Sequence, residues 1–401
     1  MCYSHCHYEW GLDMNITGYS LYNQIPLEIT VADGHVPAIR EIDRTNANTF
    51  ISPALVDIQV NGFCGYDLNV DTVTHEDVCT MVQKLWRVGT GFLCPTIVTA
   101  SFDSVCNSLE AVVKAYHSDS LIAHSILGIH LEGPYISAED GPRGAHPLQH
   151  VRNPDWDEFR RWQDVADGMI RIVTLAPEKE GAIPFIEKLV STGVVVSIGH
   201  TDASGKEIQH AISAGATLST HLGNGAHGMI QRHPNYIWEQ LAADELYASL
   251  IVDGHHLPPS VVKSMLRAKT LDKCILISDA TALAGMPTGH YEFAGQPVEL
   301  KDDQSIRLIG TEYLAGSAIT LLRGVENSVK FTDISLGQAV SLASVNPMRL
   351  LDIDLDINQT DRDTALDIII FTWDADTCKM DLKMTILSGK VVFDKSSTDK
   401  I

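Results

Sequence analysis

Short apolar runs recur along the chain, each closing on polar residues and each followed by a stretch with helical spacing. They are PALVDIQVNG (53–62), GFLCPTIVTA (91–100), ILGIHLEGP (126–134), IRIVTLAPE (170–178), VVVSIGHTD (194–202), ATLSTHLGN (216–224), ASLIVDGHH (248–256) and CILISDAT (274–281). Runs this continuous predict strands buried on both faces, as in a parallel sheet. The segments between them carry helix signals. Ser101 is placed to cap SVCNSLEAVVKAYH. Ser204 is placed to cap GKEIQHAISAG, with Glu207 as its capping-box partner and Gly215 as the stop, and PPSVVKSMLRAKT (258–270) opens on prolines. Eight strands alternating with helices predict an α/β fold, a closed (β/α)₈ TIM-like barrel over residues 52–351, in preference to an open doubly wound sheet.

The flanks follow a different pattern. Residues 1–51 contain LEITVADGHVPAIREI, two strand-like runs about a turn at Asp33-Gly34. Residues 352–401 contain ALDIIIFTW and DLKMTILSGKVVFD, again strand-like. Both chain ends are expected to pair into one small β-sandwich module. Residues 290–314 alternate like hairpins and are expected to decorate the last barrel unit.

The polar residues that close the runs are the candidate chemistry. Glu132 ends the third run, His200 the fifth, His221 the sixth, His256 the seventh, and Asp279 lies in the eighth. In a barrel all these carboxyl ends share one face, where active sites sit. One Glu and two His, with a water completing the shell, form a catalytic metal pattern with an open position. A cation held there activates water near neutral pH, and Asp279 is suited to take the water proton and pass it to a leaving nitrogen. Taken singly, each residue has a plainer reading. A strand-end histidine is more often a structural hydrogen bonder, Glu132 a cap or ion-pair partner, and Asp279 a turn cap. Their joint placement carries the metal reading.

Charge narrows the ligand. A formal net charge of −22 disfavours nucleic acid and anionic membranes as partners, and an anionic substrate would need a local basic pocket. The eight cysteines form no CxxC pair and several lie in apolar runs, which fits reduced thiols. The opening MCYSHCHYEW lacks the basic and apolar regions of an export signal, so cytoplasm is the expected location. Its Cys2, His5, Cys6 and His7 have a metal-binding composition but read as a loose terminus.

The ordered strings PALVDIQVNG, HLEGPYI, GAH (144–146), LAPE, GHTDA, THLGN, DGHH, SDAT and LAGS (314–317), closing on NPMRLL, ALDIIIF and ILSGKVVF, resemble the N-acetylglucosamine-6-phosphate deacetylases of the amidohydrolase superfamily over nearly the whole chain. The resemblance implies hydrolysis of an acetamide on an amino-sugar phosphate. It implies Glu132, His200 and His221 as metal ligands, Asp279 as general base and acid, and His146 as the group that polarises the amide carbonyl. It implies substrate contacts from His256, Asn224, the backbone of Gly225 and Arg232, with Arg232 on the phosphate and shared across a homodimer. Gln59 and Asn61 stand where many amidohydrolases carry His-x-His, and amides are poor ligands beside imidazole. The fourth run closes on Leu175-Ala176-Pro177-Glu178 and offers no lysine there for the carboxylated bridge of two-metal relatives. Both points favour one divalent cation per chain, zinc first, with iron, manganese and cobalt also suited. Gln59 and Asn61 then serve as hydrogen-bonding support. One departure stands out: where the family has an aromatic and then Asn-Ala-Met, this chain has Gly223-Asn224-Gly225-Ala226-His227. That loop leaves N-acetylgalactosamine 6-phosphate or another N-acyl compound as an alternative substrate. A non-catalytic, ligand-binding barrel is the alternative of another class.

Overall fold

The computed structural model describes residues 14–293, 296–310, 314–354 and 366–398, so the Cys/His-rich N-terminus lies outside the described residues. The chain divides into two compact units, one made of the residues up to Ala54 and from Asp356 onward, the other spanning Leu55–Leu355.

The larger unit is built on eight parallel strands: β1 (Leu55–Val60), β2 (Thr90–Val98), β3 (Ile129–Glu132), β4 (Ile170–Leu175), β5 (Val195–Ile198), β6 (Leu218–Ser219), β7 (Tyr247–Ile251) and β8 (Cys274–Ile277). They lie side by side in chain order. A parallel bridge between Val60 and Ala280 joins the first strand to the last, with Asp279 N donating to Gln59 O at 3.0 Å and Asn61 N to Ala280 O at 2.8 Å. The result is a TIM-like barrel. Every residue of β1, β3 and β8 is buried, which is why their sequences do not alternate.

The helices begin where local chemistry starts them. Ser101 caps Phe102–Ser118 through the Ser104 amide, and Ser204 with Glu207 forms a complete capping box on Gly205–Ser213. Pro258 and Pro259 open the helix Pro259–Lys269. After β8 the chain makes a four-stranded antiparallel sheet from Gly289–Phe293, Gln296–Leu300, Ser305–Leu308 and Leu314–Ser317. Among the described residues no helix is long and apolar enough to cross a membrane.

The smaller unit draws strands from both chain ends. Met14–Ser20, Pro26–Ala32, His35–Glu41 and Phe50–Pro53 join Ile368–Asp374, Lys379–Leu387 and Lys390–Asp394 in one sheet that closes on itself. The two-sided packing expected of a sandwich therefore takes the form of a closed sheet around Leu27, Ile29, Ile51, Ile368, Ile370 and Ile386. Asp33 and Gly34 both have positive φ, +51° and +73°, as a tight hairpin turn requires.

Candidate metal centre

Glu132 is the last residue of β3, and His200 and His221 each lie two residues past β5 and β6. Barrel closure brings these three together. Glu132 Oε1 lies 3.1 Å from His200 Nε2 and 3.0 Å from His221 Nε2, and the two imidazole nitrogens are 3.1 Å apart. All three residues are buried. Their chemistry fits a cation. His200 Nδ1 lies 2.8 Å from the carbonyl of Pro142, which can only accept, so Nδ1 carries the ring proton. A neutral His200 then turns a lone pair toward a carboxylate oxygen, an arrangement that a positive ion between them makes favourable. Glu132 responds to the same surroundings. Burial pushes its carboxyl up, but the two imidazoles set against Oε1 outweigh burial and hold it well below the usual range.

The neighbours support this centre. Gln59 Nε2 donates to Glu132 Oε1 at 3.0 Å, and Asn61 Nδ2 donates to Asp279 Oδ1 at 2.7 Å. Asn61 Oδ1 is buried without a partner among the described residues, which leaves an acceptor free beside Asp279. Asp279 is pushed up to about 6 by burial and then by the charge of Glu132. His146 Nε2 is 3.2 Å from His200 Nε2, so this ring reaches the same centre from the 141–146 loop. Burial, with His200 beside it, brings its pKa down to about 3, so it is neutral at physiological pH. His256 is half-buried, and its Nδ1 lies 2.6 Å from Asp253 Oδ2, while its Nε2 has no hydrogen-bond partner among the described residues.

His200, His221 and Asp279 all have positive φ, at +51°, +29° and +48°. Left-handed backbone is uncommon outside glycine and clusters at functional sites. Here each follows a barrel strand and turns its side chain in toward the barrel mouth.

Two glycines make room for His200. A Cβ on Gly225 would lie 2.8 Å from His200 Nδ1, and one on Gly144 would lie 3.3 Å from Cε1; both glycines have φ of +57°. Gly225→Ala is expected to destabilise the protein on the order of 1–3 kcal/mol and to weaken metal binding, because the methyl both strains the loop and pushes the ligand ring. Thermal denaturation with a parallel metal titration checks this, and wild-type values in both would refute the close packing.

The remaining substrate candidates divide. Asn224 sits beside the centre with its Nδ2 on His221 O at 3.2 Å. Arg232 does not join the cluster: it is exposed on the loop leading to the helix Tyr236–Ala242. Sequence reasoning missed Thr99, whose hydroxyl is 2.8 Å from His146 Nδ1, and Asp253 beneath His256. Asp253 was open to inspection, three residues before His256 in DGHH. Thr99 gave no signal beyond its place at the end of the second run.

The amidohydrolase family model matches residues 50–392. The N-acetylglucosamine-6-phosphate deacetylase of Bacillus subtilis (strain 168) is 31% identical over 367 residues, covering 91% of this chain and 90% of that protein. The N-acetylgalactosamine-6-phosphate deacetylase of Escherichia coli O157:H7 is 31% identical over 330 residues, covering 82% and 85%. Among solved structures, the N-acetyl-D-glucosamine-6-phosphate deacetylase of Mycobacterium smegmatis, in complex with N-acetyl-D-glucosamine-6-phosphate, superposes with a TM-score of 0.80 at 27% identity, covering 95% of this chain and all of that one.

Proposed function

The chain belongs to the amidohydrolase family, among its N-acetylglucosamine-6-phosphate deacetylases, and on that premise we propose how its residues carry out the reaction. The protein is a hydrolase of a linear amide C–N bond that converts N-acetyl-D-glucosamine 6-phosphate to D-glucosamine 6-phosphate and acetate. The observation that carries this reading is the convergence of Glu132, His200 and His221 with Asp279 pushed up to about 6 alongside.

Glu132, His200 and His221 would hold one divalent cation. When bound, that cation supplies Lewis-acid polarisation and makes water a better nucleophile at neutral pH. Asp279 accepts the proton of the attacking water and delivers it to the departing amine nitrogen. His146 donates from Nε2 to the carbonyl oxygen as charge builds there. Zinc suits this borderline N,N,O set, and iron, manganese or cobalt would serve. A single ion is supported by Gln59 and Asn61, because each amide nitrogen is already a donor, to Glu132 and to Asp279.

His256, Asn224 and the Gly225 backbone would line the sugar, and Arg232 would bind the phosphate. The exposure of Arg232 supports service to a neighbouring copy in a homodimer. Arg232→Ala is expected to lower kcat/KM for the phosphorylated sugar by about tenfold to a hundredfold, the worth of a charged hydrogen bond, and to leave the unphosphorylated sugar unchanged. Equal losses on both would remove the phosphate role. The six described cysteines are all free, which supports a reducing, cytoplasmic setting.

A second reading concerns the sugar. The gluco and galacto relatives are equally similar at 31%, and Gly223–His227 departs from the family's usual loop. Measuring kcat/KM on both epimers ranks them. A clear preference for the galacto epimer would transfer the assignment to it, and turnover of neither would withdraw the substrate.

A further inference from the structure

The roles given to His146 and His200 place opposite demands on two adjacent imidazoles. A metal ligand needs a lone pair on the nitrogen that faces the centre, whereas a group that polarises a carbonyl needs a proton there. The two rings stand edge to face with centroids 4.3 Å apart, and their Nε2 atoms are 3.2 Å apart. Something must therefore fix the tautomer of each.

For His200 the fixing group is the Pro142 carbonyl, as above. It holds the proton on Nδ1 and leaves Nε2 bare. His146 Nε2 lies 3.2 Å from that nitrogen, close enough to compete for an ion held there, and only a proton on His146 Nε2 keeps it from doing so. A neutral His146 protonated on Nε2 has a bare Nδ1, which needs a donor. That donor is at hand: Thr99 Oγ1 lies 2.8 Å from His146 Nδ1. The other acceptor within reach of this hydroxyl, the Glu132 carbonyl, is longer at 3.4 Å.

The surroundings keep the hydroxyl in place. Thr99 and His146 are both buried. Residue 133 is glycine with φ of +80°, and a Cβ there would lie 2.2 Å from Thr99 Oγ1, so only glycine leaves space for the hydroxyl. Arg143 Nη1 donates to the His146 carbonyl at 3.0 Å and holds the loop that carries the ring.

We propose that Thr99 is a positioning residue that acts through His146: its hydroxyl donates to Nδ1 and locks the ring with its proton on Nε2, facing the reaction centre. His146 is thereby kept as a hydrogen-bond donor to the carbonyl oxygen and barred from becoming a fourth ligand. This rests on the donor role given to His146 under the proposed function.

The test uses full-length zinc-loaded protein labelled with ¹⁵N-histidine. The wild-type spectrum is expected to show His146 protonated on Nε2. Thr99→Val, which keeps the shape and removes the hydroxyl, is expected to shift the ring toward the other tautomer. It should lower kcat by about tenfold to a hundredfold, the usual effect of removing an orienting partner, with zinc content and KM unchanged. Thr99→Ser should restore both tautomer and rate. A wild-type His146 protonated on Nδ1, or a Thr99→Val enzyme at the wild-type rate, would overturn the inference. His146→Ala is measured alongside. If it loses activity and Thr99→Val does not, the inference falls and the role of His146 stands. If His146→Ala turns over like the wild type, both fall together.

Discussion

Asp279→Asn is expected to lower kcat by about 10²–10⁴-fold, the range of a lost general acid–base group, with bound metal retained. The substitution is nearly isosteric, and Asn61 can still be bonded, so the fold is expected to hold. What changes is the ability to take a proton. The carboxylate is pushed up to about 6, chiefly by burial and next by Glu132. The sign follows from the role. As a base the group works when ionised, so kcat/KM rises as pH climbs through its pKa and reaches a plateau above it. A cation in the centre favours the ionised form and moves this limb below 6 rather than above it. The wild-type profile should therefore show one acidic limb at or below about 6, and the Asn variant should lack it. A variant that keeps both the wild-type rate and the limb would remove Asp279 from the chemistry.

Glu132→Gln is expected to abolish turnover by a different route, through loss of the metal. Glu132 Oε1 is the common partner of Gln59 Nε2, His200 Nε2 and His221 Nε2, all within 3.0–3.1 Å. It is the only carboxylate in the ligand cluster formed by the described residues. With an amide there, the site offers two neutral imidazoles and a weak oxygen donor. Affinity should fall by more than the roughly 10–100-fold typical of a change in an outer hydrogen-bonding partner. Metal analysis after dialysis reads this directly, and acetate release should fall with it. Excess metal restoring the rate would locate the defect in affinity; a wild-type metal content with no activity would give Glu132 a different role.

Much of this arrangement was legible before folding. All eight barrel strands lie within or at the edge of the apolar runs, because strands buried on both faces must be apolar nearly throughout. The hairpins of 289–317 and the turn at Asp33-Gly34 were also readable, since alternation and turn chemistry are local signals. Strand β6 shows the limit. Its run covers 216–224, yet only Leu218–Ser219 pairs as strand, because the chain turns early to aim His221. The polar ends of the runs pointed to Glu132, His200, His221 and Asp279, because the barrel topology alone gathers them on one face. What holds these groups in register was not legible. The tautomer of His200 depends on a backbone carbonyl at Pro142, which has no side-chain signature, and Thr99 meets His146 only after two distant loops have come together. Gly225 looked like an ordinary loop glycine, and its tight approach to the His200 ring exists only in three dimensions.

The most direct measurement strips the protein of metal with a chelator, restores zinc in steps, and follows acetate release from N-acetylglucosamine 6-phosphate at each step. The account predicts no turnover without metal and a linear rise that breaks at one equivalent per chain. Full turnover by the metal-free protein, or none at any metal loading, would contradict it.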